Sequence, residues 1–142
     1  MQIRILTATA IAAAAAAIAA QAGSGASLKT ALCGQVKKGP HASYTSLLTG
    51  RKLNGNTWTV FATGVPCTAA MRAAPAILRW WAKAKVDAHG TVAGFTCNKE
   101  ADRHGSSGMT GCLPLHGKPL ANIELIMTAS ATIAQIKQLF GG

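Results

Sequence analysis

Four cysteines, Cys33, Cys67, Cys97 and Cys112, follow a segment that reads as an export leader, and this combination constrains the fold more than any other feature of the 142 residues. Residues 1–22 hold one early cation, Arg4, then an uncharged Ala/Ile-rich run over 5–20, then Ala20-Gln21-Ala22. A cationic start, a modest apolar run and small residues at the end are what a secretory signal peptide needs, so cleavage is expected before Gly23. A spanning helix is the alternative reading. Alanine is only weakly hydrophobic, however, and the run is shorter than the roughly 20 strongly apolar residues a bilayer requires. No transmembrane span is therefore expected after cleavage, and Cys33 lies too far past the cut to accept a lipid.

An even cysteine count in an oxidising compartment implies two disulfides. Three pairings are open. Spacing favours Cys97 with Cys112, which closes a hairpin between adjacent strands, and Cys33 with Cys67, which ties an N-terminal segment to a helix start; a Cys67 to Cys97 link is the next choice. Each closure is worth roughly 3 kcal/mol, a large fraction of a small domain's stability. Metal binding is not expected, because the sequence has no C-x-x-C or H-x-x-x-H and its histidines, His41, His89, His104 and His116, are scattered. Haem-attachment, redox C-x-x-C and glycine-rich phosphate motifs are also missing, so no cofactor is expected.

The strongest strand pattern is 57–63, β-branched and aromatic throughout, preceded by an Asn54-Gly55 turn signal. Residues 42–53 fit a strand or irregular chain. A helix is expected over 68–86 with Thr68 at its cap, and Pro75 implies a kink or a start near Ala74. Further strands are expected over 91–98, 109–113 and 121–128, the last from the alternation of Ile123, Leu125 and Met127 with Asn122, Glu124 and Ile126. A polar loop covers 99–108, and Ser130 is placed to cap a last helix reaching Phe140. Together these predict one domain, 23–142, of the α+β class: one long helix packed on a small, mainly antiparallel sheet, stapled by disulfides.

The stretch from Trp58 through Gly64-Val65-Pro66-Cys67-Thr68-Ala69-Ala70, with Val92, Gly94, Phe95 and Cys97 and then a further cysteine before a strand, resembles a group of small secreted proteins of high-GC Gram-positive bacteria. The resemblance spans roughly 58–128. It implies an extracellular role and carries over no activity or catalytic residue.

Charge narrows the function further. Fourteen Lys and Arg against four Asp and Glu give a formal net charge of +10, which loses one unit with Arg4. An exported cation meets anionic envelope polymers, glycans, lipid headgroups or nucleic acid first, although charge of this size also serves solubility. On the main helix Arg72, Ala76, Arg79 and Lys83 fall within about 60° of one another, opposite Met71, Ala74, Ile77, Leu78, Trp81 and Ala84. Trp80 then lies at the border of that basic ridge. Arg72, Arg79, Trp80 and Lys83 are the candidate binding residues, with packed core as the other reading of the tryptophans.

Catalysis has less support. Asp102, His104, Ser106 and Ser107 crowd one loop, yet neighbours in sequence seldom adopt triad geometry and Gly105-Ser106-Ser107-Gly108 is not G-x-S-x-G. A paired-carboxylate site must be drawn from four acids: Glu100 and Asp102 share one loop, while Glu124, on a strand, and Asp87, in a turn, join them only if the tertiary fold brings them there. No catalytic residue is assigned. The expectation is a secreted, basic binding module for an anionic extracellular surface or polymer, with a small secreted hydrolase or hydrolase inhibitor as the alternative.

Overall fold

The computed structural model describes residues 28–46 and 49–140. The expected leader and cleavage site lie outside them. Among the described residues eight strands and two helices follow in the order β1 (Thr30–Val36), β2 (Ala42–Thr45), β3 (Lys52–Gly55), β4 (Trp58–Thr63), α1 (Cys67–Lys83), β5 (His89–Val92), β6 (Phe95–Glu100), β7 (Met109–Pro114), β8 (Asn122–Met127) and α2 (Ile133–Phe140). Six strands form one antiparallel sheet in the order β1-β4-β8-β7-β6-β5, and β2 and β3 form a separate hairpin. α1 carries the chain from β4 to the far edge at β5, and the meander β5 to β8 returns it to β4. The architecture is α+β, a dominant helix on an antiparallel sheet held by two disulfides.

One face of the sheet and one face of α1 make the core. Trp58, Val60 and Ala62 of β4 and Ile123, Leu125 and Met127 of β8 point inward, as strand alternation requires, against Ala70, Ala73, Ala74, Ile77, Leu78 and Trp81. Thr59 and Phe61, on the other face of β4, are buried as well. Gln35 of β1 binds both Thr59 and the Ala131 carbonyl leading into α2, whose Ile136 is buried.

The disulfides join Cys33 to Cys67 and Cys97 to Cys112. Cys97 and Cys112 are direct cross-strand partners with Cα atoms 4.0 Å apart. In β1 the register slips between Leu32 and Gly34, so Cys33 is the extra residue of a bulge and is joined to the first residue of α1.

Several local expectations are corrected. Asn54 and Gly55 are not a turn: they pair with Ser43 and Ala42 inside β3, and Gly55 is present because a Cβ there would lie 3.0 Å from the Ala129 backbone. β3 and β4 are thus in different sheets. The segment expected as one strand over 91–98 is a hairpin, turning at Ala93 and Gly94 with φ of 50° and 85°, the paired positive values of a tight two-residue turn. α1 begins at Cys67 behind Pro66, with no side-chain cap from Thr68, and runs unbroken through Pro75, whose ring is solvent-exposed. It stops at Lys83, short of Val86, with the Ala84 N–H bonded to the Trp80 carbonyl. Thr132, not Ser130, caps α2: its hydroxyl accepts from the Gln135 N–H while the Gln135 side chain accepts from the Thr132 N–H.

The β2–β3 hairpin is docked by Tyr44, whose hydroxyl donates to the Met127 carbonyl at 3.0 Å. Gly108 leaves the room for it, since a Cβ there would overlap the Tyr44 ring. Gly108→Ala should therefore destabilise the fold by about 1–3 kcal/mol, the range for forced overpacking, as read from urea midpoints. Gly105→Ala, with open space at its Cβ, should cost only its backbone strain.

Candidate functional site

The outward face of α1 is basic because its inward face is fully used. Arg72, Arg79 and Lys83 are exposed, while the residues between them in the sequence include five buried against the sheet. At 1.5 Å per residue the three cations span about 16 Å. Beside Arg79 runs a groove of about 370 Å³ between α1 and the chain leaving β1, floored by Val36 and Leu78 and flanked by Lys38 and Pro40. Lys38 thereby joins the basic face. In sequence it is simply part of a Lys37-Lys38-Gly39-Pro40 turn; no local signal brings it to the helix. The segment is held by the Trp58 indole, which donates to the Pro40 carbonyl at 2.9 Å and occupies the space a Cβ at Gly39 would need.

Trp80 is half-buried, with its indole laid on the backbone of Gly90 in β5, where a Cβ would overlap the ring. Part of this tryptophan is therefore committed to packing. Trp81 is wholly so. Its ring meets Trp58 edge to face at 4.7 Å, its Nε1 donates to the Ser107 hydroxyl at 3.3 Å, and the Lys99 amine lies 4.0 Å above it. Lys99 also donates to the Trp81 and Ala84 carbonyls, both at 2.9 Å, closing the C-terminal end of α1. This cation, expected in a polar loop, occupies an inward strand position and caps the helix.

The loop that resembles a triad in sequence is built otherwise. Asp102 accepts the backbone N–H groups of Thr45, His104 and Ser106, and these bonds, Thr45 first, hold its carboxyl below the usual carboxylate range. Ser107 is buried between Trp81 and the Met109 carbonyl. Neither residue is arranged as a nucleophile with a base.

What the fold does bring together is Glu100 and Glu124, on the sheet face opposite α1. They come from β6 and β8 on either side of Gly111, where a Cβ would lie 2.9 Å from the Glu100 carboxylate. His89, Asn98 and Asn122 complete a groove of about 370 Å³ around them. Burial, and then the Glu124 charge, push the Glu100 carboxyl above its ordinary value of 4.5, against a hydrogen bond from Asn98.

Among the described residues no group of three or more His, Cys, Asp or Glu side chains is placed to hold a metal ion, and no helix is long and apolar enough to cross a membrane. No protein-family model, curated protein or solved structure matches the chain.

A carboxyl whose folded value lies above its unfolded one holds its proton more tightly in the folded chain, so stability is lost as pH rises from 4.5 through the raised value. Glu100→Gln removes that loss. Its melting temperature should equal the native one at about pH 4 and exceed it at about pH 7, by calorimetry at both.

Proposed function

We propose that the protein is an exported binding module that attaches to an anionic extracellular partner through the outer face of α1, with Arg72, Arg79 and Lys83 as its contacts and the exposed part of Trp80 at its margin. The observation that carries this reading is the division of α1: six side chains buried on one side, three cations exposed on the other. Lys38 across the groove from Arg79 adds a fourth. Such a strip attracts phosphate, sulfate or carboxylate groups as one unit, and the attraction weakens with salt. Export, for which the leader-like segment 1–22 is the support, supplies the setting in which such polyanions are met.

A second reading, a small secreted hydrolase, draws on Glu100 and Glu124. The fold sets two carboxylates from different strands along one groove, the pairing used in acid and base catalysis of glycoside cleavage, and burial raises the Glu100 carboxyl above its ordinary value. If it holds, reducing sugar released from cell-wall polysaccharide should vanish with Glu124→Gln while the fold survives. Activity equal to native ends that reading.

For the binding reading, Arg72, Arg79 and Lys83 are replaced together by glutamine. Exposed helix charges contribute little to folding, so stability should stay within about 1 kcal/mol of native. Retention on heparin should fall, along with its salt dependence. Unchanged retention would leave the positive charge as a solubility feature.

A further inference from the structure

One end of the six-stranded sheet gathers three of the five exposed large apolar side chains among the described residues, the other two, Ile133 and Leu139, being on α2. The pairs Thr30–Thr63, Thr63–Asn122, Val92–Phe95 and Phe95–Pro114 put the start of β1, the β5–β6 turn and the connection 115–121 between β7 and β8 at the same end. Leu113, Leu115 and Leu120 are exposed there by 58, 49 and 83%.

These leucines are presented by a folded tip. The Leu115 N–H is bonded to the Gly94 carbonyl at 3.0 Å and the Ala121 N–H to the Lys118 carbonyl at 3.1 Å. Gly117 sits against Pro114, where a Cβ would lie 2.7 Å from the proline ring. Leu120 has φ of 66°, a conformation that large side chains rarely adopt. That turn puts Ala121 inside, against Gly64, and leaves Leu120 outside. Lys118 lies between Leu115 and Leu120, Lys29 precedes β1, and both are exposed. Asp87 and Asp102 fall outside the tip segments, whereas Leu113 also borders the outer-face groove that holds Glu100 and Glu124, so Leu115 and Leu120 are the leucines that stand clear of that groove.

Leucines and lysines interleaved on one tip fit few partners. A soluble polyanion satisfies the lysines and gives the leucines nothing. A second copy of the tip covers the leucines but sets lysine against lysine. An anionic bilayer surface satisfies both, since apolar side chains enter below the headgroups while ammonium groups stay among the phosphates. We propose that this tip docks on anionic lipid, with Leu113, Leu115 and Leu120 entering the outer part of the bilayer and Lys29 and Lys118 at its phosphates. The proposal rests on the anionic-partner reading for its charge only; the leucines are an independent observation.

The test uses the disulfide-bonded protein and a Leu113→Ser, Leu115→Ser, Leu120→Ser variant, whose altered positions are exposed and whose fold is checked by melting. Probes are phosphatidylcholine vesicles with and without phosphatidylglycerol, and heparin. The native protein should bind the phosphatidylglycerol vesicles, and the serine variant should bind them about tenfold or more weakly while keeping its heparin retention. Equal vesicle binding by the two proteins overturns the proposal. So does native binding to heparin without binding to vesicles, which leaves the anionic reading of α1 standing; failure on both probes removes both. A native dimer in sedimentation that the serine variant abolishes would assign the leucines to self-association and overturn the lipid proposal as well.

Discussion

The packing of Trp81 against Trp58 beneath the Lys99 amine joins parts of the chain that have no other reason to meet. Trp58 belongs to the central strand pair, Trp81 to the last turn of α1, and Lys99 to the meander strand β6. The tryptophan contact fixes where the C-terminal half of the helix lies on the sheet. Lys99 then closes the free carbonyls of that helix end and faces the Trp81 ring, so one cation meets the needs of both. With the other end of α1 held to β1 by Cys33–Cys67, the helix is fixed at both ends. Its outward line of charges is positioned by consequence.

The sheet also separates the charges. Arg72, Arg79 and Lys83 lie on the helix side, whereas Glu100 and Glu124 lie on the opposite face. Asp102 is spent on three backbone N–H groups, and Asp87, in a left-handed turn, donates its own N–H to the Lys99 carbonyl. The exposed cations of α1 thus lie apart from the carboxylates of Glu100, Glu124 and Asp102. Two chemically distinct surfaces result, a cationic helix face and a groove with two carboxylates, with the leucine tip at one end of the sheet between them.

Glycine controls several of the contacts that give these surfaces their shape. Gly90 admits the Trp80 ring, Gly39 the Trp58 ring and Gly108 the Tyr44 ring. In each case an aromatic ring occupies the space that a single methyl group on the glycine would need. The aromatic content is low, so each ring carries a large share of the packing.

Periodicity and spacing in the sequence by themselves determined the fold class, the inward faces of α1 and β8, and the basic outer line of the helix, because a period of 3.6 or 2 states which side chains share a face wherever the element packs. Hairpin spacing likewise favoured the Cys97 and Cys112 bond, a contact only fifteen residues apart in sequence. Asn54-Gly55 misled because glycine serves close approach as well as positive φ, and the Ala129 backbone it accommodates is far along the chain. The hairpin at Ala93-Gly94 was hidden because its two strands are short and its first turn residue is an alanine at φ of 50°. Only the tertiary structure decided that Lys99 caps a helix, that Lys38 joins the ridge, and that Glu100 and Glu124 flank one glycine. Each of these depends on strand order and on the path of α1 across the sheet, which long-range packing sets and no local pattern encodes.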